Sequence, residues 1–212
     1  MRWKPLGLFV FLFVAISRFA FAEGDNIIQV ARVVDANNII LNGGQEVRIL
    51  GVNAPSPYDP MTELTLEEKE QMMEIAYQAR DFVKYLIEGK FVRLEVDARN
   101  AVPFNNRDRD GKVLAYVWFT TPVYENIPAW LVVDPKRQDG AYDALLNAAI
   151  IRAGYGQVDL TWPFSFVGKF LTLKEEAKQQ KRGQWNFLKE DEFEVLSGDV
   201  FQEDDIKSEE KV

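Results

Sequence analysis

Arg48 lies in the apolar run "VRIL" (47–50), and the small-residue turn "GVNAPS" (51–56) follows it. An arginine set just before such a turn looks like half of a site for a phosphate and a metal. The guanidinium can fork onto two phosphate oxygens, and oxygen ligands in the turn can hold a hard cation. Here the turn offers Asn53 and Ser56 but no carboxylate. A second turn, "DANN" (35–38), brings Asp35 and Asn37, and a third, "NNRDRDGK" (105–112), ends in Lys112. Trp162, before Pro163, offers a ring that could stack a nucleobase, or simply pack in the core.

What is absent narrows the chemistry further. The chain of 212 residues has no histidine and no cysteine. That excludes histidine acid–base catalysis, histidine- or thiolate-held zinc, and disulfides. Catalysis would have to run on carboxylates, Lys, Arg, Tyr or an oxygen-held metal.

Each candidate also has a plainer reading. Arg48 could pair with Glu46 or Asp35 as a structural cation, Lys112 could be a solvated turn residue, and Asp35 could cap its own turn. "NRDRDG" (106–111) resembles the start of a calcium-binding EF-hand loop, but its twelfth position would be Val117 rather than glutamate, so a β-turn is expected. Glu63, Glu67, Glu70 and Glu74 share one helical face. A solvated face is the expectation there, and a replacement metal site is the alternative.

The elements that must position these residues follow from periodicity. "NIIQVARVV" (26–34), "IILN" (39–42) and "QEVRILGV" (45–52) read as strands of a meander joined by tight turns. In "TLEEKEQMMEIAYQARDFVKYLIEG" (65–89) the apolar residues recur at helical spacing, and Gly89 is the expected terminator. "KFVRLEVD" (90–97) and "VLAYVWF" (113–119) are strands; 141–154 and 166–183 read as helices ending at glycine. Five short strands with a helix after the third predict an α+β domain: a five-stranded OB-type β-barrel with three packed α-helices. The segment 120–140, with its Pro, Tyr and Trp, reads as an ordered loop suited to a protein partner.

The ends differ in character. A basic start, an apolar run and Ala20-Phe21-Ala22 read as a secretory signal over 1–22, with a retained anchor as the alternative. Cleavage would leave a domain over 23–188, secreted or periplasmic, with no membrane attachment. It would also remove Arg2, Lys4 and Arg18 from a chain already at −8. Residues 189–212, with ten acidic and three basic residues, read as an acidic disordered tail. No global basic surface invites a polyanion, although a local basic groove is compatible with the sequence.

Taken together and in order, "VVDANNI", "VRILGVNAPS", "AYQARDFVKYLIEGKFVRLEVD", "DRDGKVLAYVW", "LLNAAIIRAGYGQV" and "EEAKQQKRGQWN" resemble the staphylococcal nuclease-like, or thermonuclease, family. The resemblance runs from about Val30 to Trp185. It implies an OB-type barrel with three helices that cleaves DNA and RNA phosphodiesters with one calcium ion, in proteins that are often secreted.

It also implies a site. The family's first turn reads Asp-Gly-Asp-Thr, and its second aspartate binds calcium; that position here is Asn37, with Asp35 behind it. The family's Arg before Asp-Thr-Pro-Glu clamps the phosphate, the Asp binds calcium and the Glu activates water. Those positions here are Arg48, Asn53 and Ser56. The family's second phosphate-binding arginine corresponds to Lys112, and Trp162 sits near the base-stacking aromatic. Only Arg48 keeps the family residue at a catalytic position.

The departures have a chemical cost. Calcium favours ionised oxygen ligands, serine is no base at neutral pH, and lysine lacks the bidentate fork. The expectation is therefore a degenerate site on a binding or interaction module, with calcium binding weak or absent and nucleic acid a possible ligand. The rival is a working secreted nuclease with an altered metal site.

Overall fold

The computed structural model describes residues 27–59, 65–122, 128–129, 131–134 and 141–186. The signal segment, the acidic tail, Glu63 and much of the 120–140 loop lie outside those residues. In chain order the elements are β1 (Ile27–Val33), β2 (Asn38–Leu41), β3 (Glu46–Ile49), β4 (Val52–Asn53), α1 (Leu66–Ile87) and β5 (Phe91–Glu95). There follow a 3-10 turn (Ala98–Asn100), β6 (Val113–Pro122), β7 (Val133–Asp134), β8 (Ala141–Leu145), α2 (Leu146–Arg152), β9 (Gln157–Val158), α3 (Val167–Gln179) and a last 3-10 turn (Gly183–Asn186).

Strands β3, β2, β1, β5 and β6 are neighbours in that order, and β3 also pairs with β6. That last pairing is parallel, with Arg48 opposite Leu114, and it closes the five strands into the expected barrel. One strand, β1, serves both halves: Ile27–Gln29 pair with β5, and Val30–Val33 pair with β2. The register shifts between Val30 and Arg32, and such a bulge lets a strand bend from one partner to the other. Alternation fills the interior with Val30, Val33, Ile39, Leu41, Val47, Ile49, Val92, Leu94 and Leu114.

α1 starts where its sequence dictates. Thr65 is the N-cap, accepting from the Glu68 N–H while the Glu68 carboxylate accepts from the Thr65 N–H, a reciprocal capping box. Its buried stripe is Met72, Ile75, Ala76, Ala79, Val83, Leu86 and Ile87.

The single strand expected over 45–52 is broken at Leu50–Gly51. Gly51 adopts φ +74°, and a Cβ there would stand 2.9 Å from the Phe164 ring. Only glycine fits both the left-handed turn and the close approach. The turn re-aims the chain so that β4 pairs with β9 rather than continuing β3.

A second departure lies at 141–154, read from sequence as one helix. Its first five residues form β8, antiparallel to the end of β6, with β7 outside it. The helix begins only at Leu146. The long β6 leaves a free edge past the barrel, and backbone pairing there overrides the helical spacing of "AYDAL". Fully buried Asn147 then ties the layers together: its Oδ1 accepts from the Val117 N–H, and its Nδ2 donates to the carbonyls of Leu50 and Ala115.

A second anchor is buried Asp97, bonded to Tyr116 of β6. It accepts from the Tyr116 hydroxyl at 2.7 Å, the Ser165 N–H at 2.6 Å and the Arg99 N–H at 2.9 Å. Burial pushes the Asp97 carboxyl up, but these three donors more than offset it and hold it below the usual carboxylate range. Burial, reinforced by the Asp97 bond, pushes the Tyr116 phenol well above its ordinary value.

Candidate active site between two turns

The turn between β1 and β2 is organised by Asp35. One carboxylate oxygen accepts from the Asn37 N–H at 2.8 Å and from Asn38 Nδ2 at 3.0 Å. This is the self-capping arrangement that aspartate favours in turns. The other oxygen accepts from the Ser56 hydroxyl at 2.8 Å. Both side chains are buried, so Ser56 acts here as a donor that joins the two turns.

Asn37 joins them a second time. Its Nδ2 donates to the Ala54 carbonyl at 2.6 Å and its Oδ1 accepts from the Ala54 N–H at 2.7 Å. The amide thus matches both groups of one residue's backbone. A carboxylate has no donor and could satisfy only one of them. The Asn37 carbonyl also accepts from the Ile49 N–H at 2.7 Å, fixing the turn against β3.

Arg48 projects from β3 and meets Asp159, Nη2 to Oδ2 at 3.1 Å, with 27% and 10% of the two side chains exposed. Asp159 is itself oriented: its Oδ1 accepts from the Thr161 N–H and its own N–H donates to the Gly51 carbonyl. Neither Glu46 nor Asp35 is the arginine's ion-pair partner among the described residues. Lys112 leaves its turn half-buried, donating to Asn38 Oδ1 at 3.2 Å and standing 3.9 Å from Asp110. Asp108 accepts from the backbone N–H of Asp110 and of Lys112, which makes 106–111 a side-chain-capped turn.

Asn53 and Gln157 face each other across the β4–β9 pair, and cross-strand partners share a sheet face. Gln157 is 8% exposed, and its Nε2 has no hydrogen-bond partner. Trp162 is also buried, and its ring packs edge-on against Phe104 with centroids 5.1 Å apart.

Asn37, Asn53, Ser56, Arg48 and Asp35 therefore cluster around the two turns, with Lys112 bridged to them by Asn38. This donor set does not suit calcium. At the positions that the resemblance marks it contains one carboxylate, both of whose oxygens already accept hydrogen bonds, and two neutral amides, one with both polar atoms engaged. Among the described residues no three Asp or Glu side chains gather closely enough to hold a metal elsewhere.

The family described as staphylococcal nuclease homologue matches residues 46–187, two thirds of the chain and all of the barrel-closing and helical part. The chain belongs to the staphylococcal nuclease family. Within it, a thermonuclease of Staphylococcus hyicus is 34% identical over 93 residues, which are 42% of this chain and 47% of that protein. The chain thus spans about half the length of that relative. An uncharacterized protein of Methanocaldococcus jannaschii, MJ1439, is 24% identical over 170 residues, covering 75% of this chain and 71% of that one.

The structure brings the two turns together, but the partners of their residues were not legible in the sequence. Asp159 lies 111 residues from Arg48, and nothing local in "QVDLTW" marks it as a counter-ion. The Ala54 backbone and Gln157 carry no side-chain signal of their role. For Asn38 a hint existed, since an Asx residue following Asp-x-Asn is well placed to bond within the turn.

Proposed function

We propose that this chain is an exported staphylococcal nuclease-type barrel whose catalytic centre has become a structural joint, and that it acts as a binding module rather than a nuclease. The observation that carries the reading is the Asn37 amide, which engages both the N–H and the carbonyl of Ala54. A calcium ligand at that position would need a free oxygen, and Asn37 Oδ1 already accepts from the Ala54 N–H. The Ser56–Asp35 bond supports the same reading, because the residue at the general-base position donates a proton into a hydrogen bond instead of accepting one from water.

What remains open to a ligand is the donor face around Arg48, whose side chain is 27% exposed beside Asp159, while Gln157 Nε2 is unpartnered but buried. Such a face suits a ligand with hydrogen-bond acceptors, of which a single-stranded nucleic acid is the family's example. The overall negative charge and the acidic tail argue for weak, salt-sensitive binding to polyanions. No helix among the described residues is long and apolar enough to cross a membrane. Export rests on the signal-like 1–22, and N-terminal sequencing of protein recovered outside the cytoplasm should begin near Glu23.

Calorimetric titration tests the metal half of the reading. Calcium added to the mature protein should give no saturable heat. Saturation at a one-to-one ratio, lost in Asn53→Ala, would show a working metal site and overturn it.

A further inference from the structure

Along α1, an open groove of about 840 Å³ is lined by residues that the resemblance gives no catalytic role. Its walls carry Met73, Tyr77, Phe82, Tyr85 and Tyr155. Tyr77 is 45% exposed and Tyr85 74% exposed, while the Phe82 and Tyr155 rings pack together at 5.1 Å. Aromatic rings left this open on a charged helix are not needed by the core, whose stripe lies elsewhere on α1.

The rim has a sign. Glu70, Glu74 and Asp81 line it against the one cation Lys69. Asp81 is paired with Arg80 at 3.0 Å, but Glu70 and Glu74 have no cationic partner among the described residues. Arg80 and Lys90 stand over the Tyr77 and Tyr85 rings at 4.9 and 5.5 Å but do not line the groove, so the complement of its Glu70–Glu74 end is a basic partner.

The length and hydroxyls choose the partner's conformation. From Glu70 to Tyr85 the groove follows α1 for roughly 22 Å, the span of about seven residues of polyproline II chain. The Tyr77, Tyr85 and Tyr155 hydroxyls have no partner among the described residues. They can donate to the bare carbonyls that a polyproline II chain presents, whereas a docked helix has already used its own. Aromatic ledges also take proline rings at little entropic cost.

We propose that the α1 groove is a docking site for a proline-rich segment flanked by Lys or Arg, with Tyr77 and Tyr85 seating the prolines and Glu70 and Glu74 meeting the flanking cations. This surface is independent of the turns around Arg48, so it stands or falls separately from the fate of the catalytic centre.

The test is fluorescence anisotropy with the mature protein and a labelled proline–leucine peptide flanked by arginines. Controls are a glycine–serine peptide with the same flanks, the proline–leucine peptide with glutamate flanks, and an arginine-rich amphipathic helical peptide. Saturable binding of the first peptide is expected. It should weaken at least about tenfold in the Tyr77→Ala/Tyr85→Ala variant and severalfold in Glu70→Gln/Glu74→Gln, with Arg109→Ala, exposed and outside the groove, unchanged. Circular dichroism would check that the variants, altered only at exposed positions, stay folded. The proposal is overturned if the first peptide does not saturate or if the glycine–serine peptide binds equally well. Tighter binding of the helical peptide, or wild-type binding by the folded tyrosine variant, would overturn it too.

Discussion

The Arg48 guanidinium donates to the Asp159 carboxylate at 3.1 Å, across 111 residues of chain. The arginine to which the resemblance assigns a phosphate is thus held by a carboxylate supplied from within the fold. Because Asp159 is fixed by the Thr161 N–H and by its own bond to Gly51, the pair is preorganised. A phosphate approaching the arginine competes with this counter-ion.

Removing the competitor should therefore expose the cation. Asp159→Ala is expected to raise affinity for labelled single-stranded DNA severalfold at low salt. The gain should vanish at high salt, because it comes from counterion release. Anisotropy across a salt series reads it directly. No gain at low salt would mean that the arginine is unreachable for other reasons.

Asn37→Asp tests the joint between the turns. The substitution keeps the acceptor for the Ala54 N–H but sets a carboxylate oxygen against the Ala54 carbonyl, with no donor between them. Losing a buried hydrogen bond and leaving the carbonyl unpaired costs about 1–3 kcal/mol. Urea denaturation should show that loss in the absence of metal. Unchanged stability would place Asn37 outside any structural role.

These two residues also show how far the sequence could be read. The barrel was legible because its strands alternate and its turns carry Asx and glycine residues at fixed spacing. The cluster of Asn37, Arg48, Asn53 and Ser56 was legible through the order of motifs. The partners were not: Asp159, Gln157 and the Ala54 backbone reach the site through tertiary folding, and side-chain type does not reveal them. The strand β8 was hidden for a similar reason, since "AYDAL" has helical spacing and becomes a strand only because β6 presents a free edge. Gly51, by contrast, was visible in the motif, but its meaning needed Phe164 to be in place.

The Asp97–Tyr116 pair predicts a stability window bounded on both sides. Asp97 has a folded-state value below its unfolded one, so its contribution is complete above about pH 4 and is lost as pH falls through the folded value. Tyr116 has a raised folded-state value, so its contribution is complete below about pH 10 and is lost as pH climbs toward the folded value. Thermal melting across pH should show both limbs. Asp97→Asn should flatten the acid limb and Tyr116→Phe the alkaline one, each relative to wild type. Parallel curves for variant and wild type would remove the pair from the account.

Cleavage itself tests the central claim most directly. Purified mature protein is incubated with labelled single-stranded DNA and RNA in calcium, magnesium or manganese, beside a chelator control. The account predicts the same substrate lifetime in every metal as in chelator, because Asn37 and Ser56 are bound into the joint and no ionised ligand stands free at the family positions. Metal-dependent cleavage that disappears in Arg48→Ala would contradict it and make this chain a working nuclease with an altered centre.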